Sequence, residues 1–515
     1  MSLRTRRLPR APRRHRTAGA RVALACAVAA ALTATCLGVV APAAAIAPTV
    51  TRVSPLIAAG HAASDKIKKK KKKRAAAHQH GKRTARHKRK HKPKPVWSPR
   101  DSTVFNYPFS PRVKDRYRIR RHVFAAVQGA PRGSQIRLAT FTFVDEKLTG
   151  ALIAAHRRGV SVQVLVNRKD VKLSPPFHHL REVLGHSRRG DRRTPRARAS
   201  FARTCSFSCR GTRGNLNSKI YLFSQVGHRR WVSMVGSANL NIFAAEAQWN
   251  HLNTITGRAT YQRLRHVFNQ MRQDRPRRQP FETFTTPKTV AWVFPRPGTT
   301  ARNDPMMRIL SRVNCRATSH TGVRVPPKPG ARGKKHHQHK KHPKKHKTRR
   351  SAGKSTKHAN RPRTQKAITR RTVIRIAMYA WFDDRGNALA KAVRQKWNQG
   401  CDVRVIYSVL NGKVKRILYN PSGRGRIPMR RSIVPDELGN VLDYNHSKYV
   451  AVNGRFAGKG RELVWTGSMN FTQLGLASDD IIVRLSGHKV YRSYLRNFSR
   501  VWHAPTARMP VPTRR

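Results

Sequence analysis

His446 and Lys448 stand two residues apart near the C-terminal end of the chain, and Gly467-Ser468-Met469-Asn470 begins nineteen residues after the lysine. Alternate residues of a strand point the same way, so an apolar strand through YNHSKYVAV puts the imidazole and the ammonium on one face. The intervening residues read as a hairpin that brings the Ser468 hydroxyl and the Asn470 amide back toward them. Together these groups suit a phosphate ester: an imidazole to attack phosphorus or move a proton, an ammonium to hold charge, a hydroxyl and an amide to fix the oxygens.

A weaker copy lies upstream, with Asn217, Lys219, Ser237 and Asn239 in the places of His446, Lys448, Ser468 and Asn470. The elements that carry the two sets are also repeated. IRLATFTF (136–143) reads as a strand, Asp145 to Arg158 as a helix stopped at Gly159, and VSVQVLVN (160–167) as a second strand. VIRIAMYAWF (373–382), Asp384 to Gln399, Gly400 and Val403 to Ser408 repeat that order. Each half thus predicts a β-α-β unit with a parallel strand pair, followed by its own motif hairpin.

This doubled pattern resembles the phospholipase D superfamily, whose members repeat a His-x-Lys motif followed by Gly-Ser-x-Asn. The resemblance covers residues 101–325 and 369–515. It implies an α/β fold of two duplicated sandwich halves with the active site between them, and a phosphodiesterase that needs no metal or other cofactor. It also implies that one histidine attacks phosphorus to form a phosphohistidine while a second protonates the leaving oxygen. His446, Lys448 and Asp480 are the catalytic candidates; Lys219, Ser237, Asn239, Ser468 and Asn470 are the phosphate-binding candidates. In the family an acid after the turn orients a histidine, and Asp480 and Glu246 fall where such a group belongs; for Glu246, neutralising a nearby arginine is an equal reading.

The chain departs from the family at Asn217, because an amide neither attacks phosphorus nor shuttles a proton. The aspartates of the full motif are Ser224 and Asn453. Three accounts of Asn217 stand open. His228, His251 or a water supplies the proton; two chains pair their His446 residues; or the site binds phosphodiesters without cleaving them.

Charge sets the class of partner. Of 110 lysines and arginines, 26 fall in residues 1–100 and 16 in residues 328–366; the other 68 face 20 acidic residues, a net of +48. Anionic partners are therefore favoured even without the tracts: a membrane surface, nucleic acid or a cell-wall polymer. Residues 1–45 have the order of a signal peptide, with a membrane anchor as the alternative reading, and predict a secreted protein. Residues 46–100 and 326–368 read as disordered Lys/Arg/His-rich arm and insertion. Cys205, Cys209, Cys315 and Cys401 would remain after cleavage, enough for two disulfides, with Cys205–Cys209 the local pair. The expected function is a secreted, monomeric phospholipase D-like enzyme that hydrolyses or transfers phospholipid phosphodiesters. A metal-independent nuclease and a binding protein with an impaired site are the alternatives.

Overall fold

The parallel pairing expected of each half is present, and each half builds the same strand order around it. The computed structural model describes residues 97–171, 174–186, 199–315, 371–420, 423–435 and 441–509. The leader, nearly all of the 46–100 arm and the 326–368 insertion lie outside the described residues.

The first half contains β1 (Gln135–Thr140), α1 (Glu146–Arg157), β2 (Ser161–Asn167), β3 (Phe201–Cys205), β4 (Ile220–Val226), β5 (Arg229–Gly236), β6 (Gln248–Trp249), β7 (His251–Thr256), α2 (Arg258–Met271), β8 (Glu282–Thr285) and β9 (Val290–Val293). The second contains β10 (Val373–Trp381), α3 (Asp383–Asn398), β11 (Asp402–Leu410), β12 (Met429–Pro435), β13 (Val441–Asn445), β14 (Lys448–Phe456), β15 (Lys459–Gly467), β16 (Ile481–Ser486) and α4 (His488–Trp502). Asp145 caps α1 by accepting from Leu148 N at 2.9 Å, and Gly159 and Gly400 end the helices at φ 86° and 101°, where a side chain would be strained.

In the first sheet β7, β5, β4, β1, β2 and β3 lie side by side; in the second, β16, β15, β14, β10, β11 and β12 take the same order. The pairs β1/β2 and β10/β11 are parallel, and the motif strands β4 and β14 run antiparallel to β1 and β10. The register is conserved as well: Ala139 faces Ile220, and Ala377 faces Tyr449, one residue after each motif lysine.

The halves are sewn together. Strands β8 and β9 extend the second sheet beyond β16, and β6 pairs in parallel with β13 at its other end. One hydrophobic core contains Leu165, Ile220, Leu222 and Val235 of the first half together with Ile481, Val483 and Leu485 of the second. Burial of these aliphatic chains at roughly 1.5–3 kcal/mol each fixes the halves against one another. Disulfides join Cys205 to Cys209 and Cys315 to Cys401. Among the described residues no helix is long and apolar enough to cross a membrane.

Candidate active site

Each Gly-Ser-x-Asn turn is held by the strand beside it. A Cβ on Gly236 would stand 2.2 Å from His251 O, and one on Gly467 would stand 2.1 Å from Ile481 O, so only glycine admits the close approach of β7 and β16. The serine that follows then meets that strand. His251 N donates to Ser237 Oγ at 3.1 Å, and Ile481 N donates to Ser468 Oγ at 3.2 Å.

The residue just before each of those strands faces the motif of the other half. Asp480 accepts from Ser468 Oγ and from Asn217 Nδ2, at 3.0 and 3.2 Å for the latter. In the mirrored position Asn250 Oδ1 accepts from Ser237 Oγ at 2.8 Å and lies 3.0 Å from His446 Nδ1. Backbone bonds bring these partners together: Ser218 N to Asp479 O at 2.7 Å on one side, and His446 N to Trp249 O at 3.0 Å on the other. His446, Lys448, Lys219, Ser237, Ser468 and Asp480 are all buried at the junction, with Asn217, Asn239 and Asn470 half-buried around them.

Several expectations change in detail. His446 sits in the two-residue link before β14, not within the strand. The hydroxyls of Ser237 and Ser468, read as phosphate ligands, bind Asn250 and Asp480 instead. The acid position of the first half is Asn250 and not Glu246, which is exposed and accepts from Tyr117 Oη at 2.5 Å. His228 lies at the β4–β5 turn, its backbone N–H bound to Ser98 Oγ, away from the site. His251 is in the site but fully buried, with Nδ1 3.2 Å from Ser237 Oγ and Nε2 2.7 Å from Thr466 Oγ1. Burial, helped by the charge of Lys448, pushes it down to about 3, so it is a neutral imidazole at neutral pH and not an imidazolium acid. Ser224 and Asn453 serve structure: Ser224 Oγ accepts from Gln135 N, and Asn453 Nδ2 donates to Glu462.

The side chains missed in the sequence are those that set His446. Asn250 Nδ2 donates to Ala244 O and to Gln248 Oε1, both at 3.1 Å, so Oδ1 is the end turned toward the imidazole. Asn250 N in turn donates to Asn106 Oδ1 at 2.8 Å. The His446 proton therefore resides on Nδ1 and the lone pair on Nε2. Burial first, and then the charges of Lys448 and Lys219, holds this imidazole well below its ordinary range, so it is neutral at pH 7. Tyr379 and Tyr444 pack against its ring at 4.9 and 5.7 Å between centroids.

The two lysines are placed alike. Lys448 Nζ donates to His446 O at 2.7 Å and lies 4.9 Å from the Tyr379 ring; Lys219 Nζ donates to Asn217 O at 2.6 Å and lies 5.7 Å from the Phe141 ring. Burial, and then the neighbouring charge of Lys219, pushes Lys448 well below the usual lysine range, while burial raises Asp480. Asn239 Oδ1 is buried without a bond among the described residues, and Asn470 Oδ1 accepts from Ala380 N at 3.4 Å. The arrangement sets a neutral imidazole among two lysines and two amides, groups whose chemistry suits a phosphoryl group.

Comparison with known proteins bears on the same two halves. A family model described as the PLD-like domain of cardiolipin synthase matches residues 127–272 and 365–502, that is 146 and 138 residues, or 284 of 515. No curated protein matches the chain. Among solved structures, a polyphosphate kinase from Porphyromonas gingivalis aligns with a TM-score of 0.45 and 11% identity over 81% of this chain, which spans only 53% of the kinase. A phosphatidylserine synthase from Haemophilus influenzae aligns at 0.44 and 9% identity, over 76% of this chain and 85% of that one. Nuc, a phospholipase D family member from Salmonella typhimurium, aligns at 0.25 and 16% identity, over 34% of this chain and 96% of its own.

Proposed function

We propose, since the chain belongs to the PLD-like domain family described for cardiolipin synthase, that it hydrolyses or transfers phosphodiester groups with His446 as its nucleophile. The observation that carries this reading is the bond between His446 Nδ1 and Asn250 Oδ1, which puts the proton of a neutral imidazole on Nδ1 and the attacking lone pair on Nε2. Lys219 and Lys448, with the amides of Asn239 and Asn470, hold the non-bridging oxygens. Ser237, Ser468 and Asp480 keep the two turns and Asn217 in place. The covalent intermediate is a phosphohistidine, and water or an alcohol releases the product.

Phospholipid is the substrate class we favour. The description of the matched family and a net charge of +48 outside the basic tracts both support it, since a basic surface gathers at anionic headgroups. Export through the 1–45 leader agrees with the two disulfides, which persist in oxidising compartments. Purified protein should release headgroups slowly from anionic liposomes, acquire a phosphoryl adduct on His446 detectable by mass spectrometry, and lose both in His446→Ala. Degradation of DNA in EDTA with no lipid turnover would move the assignment to nuclease. Salt-sensitive binding to both substrates with neither turnover nor adduct would leave a binding protein.

A further inference from the structure

The two halves have lost opposite members of one pair. Asn217 faces the carboxylate of Asp480, while His446 faces the amide of Asn250, so only one of the two motif positions holds an imidazole and the two mirrored partners differ in what they can do with a proton. The consequences separate along the reaction coordinate.

On the His446 side, an amide cannot take the Nδ1 proton. When Nε2 bonds to phosphorus, the ring keeps its Nδ1–H and becomes an imidazolium. In the second step it leaves as neutral imidazole, which needs no further proton. That half of the cycle is complete with the residues present.

On the Asn217 side, an amide occupies the place of the acid, with Asp480 behind it. Asn217 Nδ2 gives its hydrogens to Asp480 and to Ser468 O, and an amide N–H is not transferable near neutral pH. The carboxyl of Asp480 is bound by Ser468 and Asn217. Both ring nitrogens of His251 are bound, to Ser237 and Thr466, and His228 is at an exposed turn. Lys219 and Lys448 are bonded to the main-chain carbonyls of Asn217 and His446. The lysines can hydrogen-bond a departing oxygen, but no imidazolium stands at the position mirroring His446 to protonate it.

We propose that the site selects donors whose leaving group departs as a stabilised anion, a phosphate or a phenolate, in preference to an alkoxide. This rests on the phosphodiester reading above and narrows it: the favoured substrates are phosphoanhydride-linked or aryl-linked groups, and simple alkyl esters turn over slowly. In the first step the Nε2–P bond forms, the P–O bond breaks, and the oxygen keeps the electron pair and leaves opposite His446, on the Asn217 side, while Lys219 and Lys448 hold the non-bridging oxygens. In the second, water oxygen bonds to phosphorus, its proton passes to solvent, and the P–N pair returns to Nε2.

The test is a series of methyl aryl phosphodiesters with phenols of graded acidity, with P1,P2-dimethyl pyrophosphate as an anhydride and dimethyl phosphate as an alkyl ester. In the unmodified protein kcat/KM should fall steeply as the leaving group becomes more basic, with the anhydride among the fast donors. Asn217→His should flatten the series, raising the alkyl ester about 10²–10⁴-fold, the usual worth of a general acid, and the 4-nitrophenyl ester less than about threefold. Should the histidine variant not fold, Asn217→Ala with added imidazole serves, the rescue being confined to basic leaving groups. A shallow series in the unmodified protein, or equal gains for all esters, would overturn the proposal. A His446 adduct from the 4-nitrophenyl ester together with a shallow series would sink this inference alone, whereas no adduct from any donor would sink the phosphodiesterase reading beneath it.

Discussion

If His446 acts as the proposed nucleophile, Asn250 sets its tautomer, and that effect is measurable as a pH profile. Because burial and the lysines keep the imidazole neutral, kcat/KM should stay level as pH falls from 8 through His446's ordinary titration range. Asn250→Asp would set a carboxylate about 3 Å from Nδ1, favour the imidazolium and raise the pKa. The acid limb should then move up, so that the variant loses rate on acidification at a pH where the parent does not. An unchanged limb would show that Asn250 does not bear on the nucleophile. His446, Lys448, Lys219 and the two Gly-Ser-x-Asn turns were legible because type and spacing repeat. Asn250 was not: Asp480 lies ten residues after Asn470, but Asn250 lies eleven after Asn239 and is no longer an acid. That one-residue slip let Glu246 draw attention it does not merit, since a short helix at 243–246 turns it outward.

At the scale of elements, the segment closed by Cys205–Cys209 braces the site from behind. Arg210 is fully buried and binds Asp479 at 2.9 Å, and Ser208 Oγ and Cys209 N also bond that carboxylate. Asp479 and Asp480 are adjacent, yet one is structural and the other faces Asn217, because successive residues of extended chain point to opposite sides. Removing one partner of a buried ion pair strands the other, so Arg210→Met should cost about 3–5 kcal/mol in urea unfolding. Loss of activity without that destabilisation would contradict a bracing role. Strand β13 gives a second test through Asp443, whose carboxyl burial raises to about 8. A raised carboxyl keeps its proton in the fold after the unfolded chain has lost it, so each unit of pH between the two pKa values favours unfolding. Its contribution is present below about pH 4 and is lost as pH rises to 8, at up to about 1.4 kcal/mol per unit. Asp443→Asn should therefore flatten the decline of Tm between pH 5 and 8. The β-α-β units were legible from apolar periodicity and glycine stops. The β6–β13 seam was not, because a two-residue strand leaves no period to read.

The whole molecule is less divisible than its duplicated sequence suggests. The chain before the 326–368 insertion supplies β8 and β9 to the sheet of the second half, β6 joins that sheet at its far end, and a mixed core lies between. Cys315–Cys401 links the chain on either side of the insertion across 86 positions, a closure worth about 4.5 kcal/mol on chain-entropy grounds. A single specific-protease site placed within residues 326–368 provides the test. The cut protein should run as one band on a denaturing gel without reductant and as two with it. It should nevertheless stay one species in native gel filtration after reduction, with its His446 adduct intact, because strand pairing and the shared core hold the pieces together. Separation into two soluble halves after cutting and reduction would mean that the seam contributes little and that each half folds for itself. Retention of both pieces with loss of the adduct would instead place the work of the disulfide in aligning Asn250 with His446.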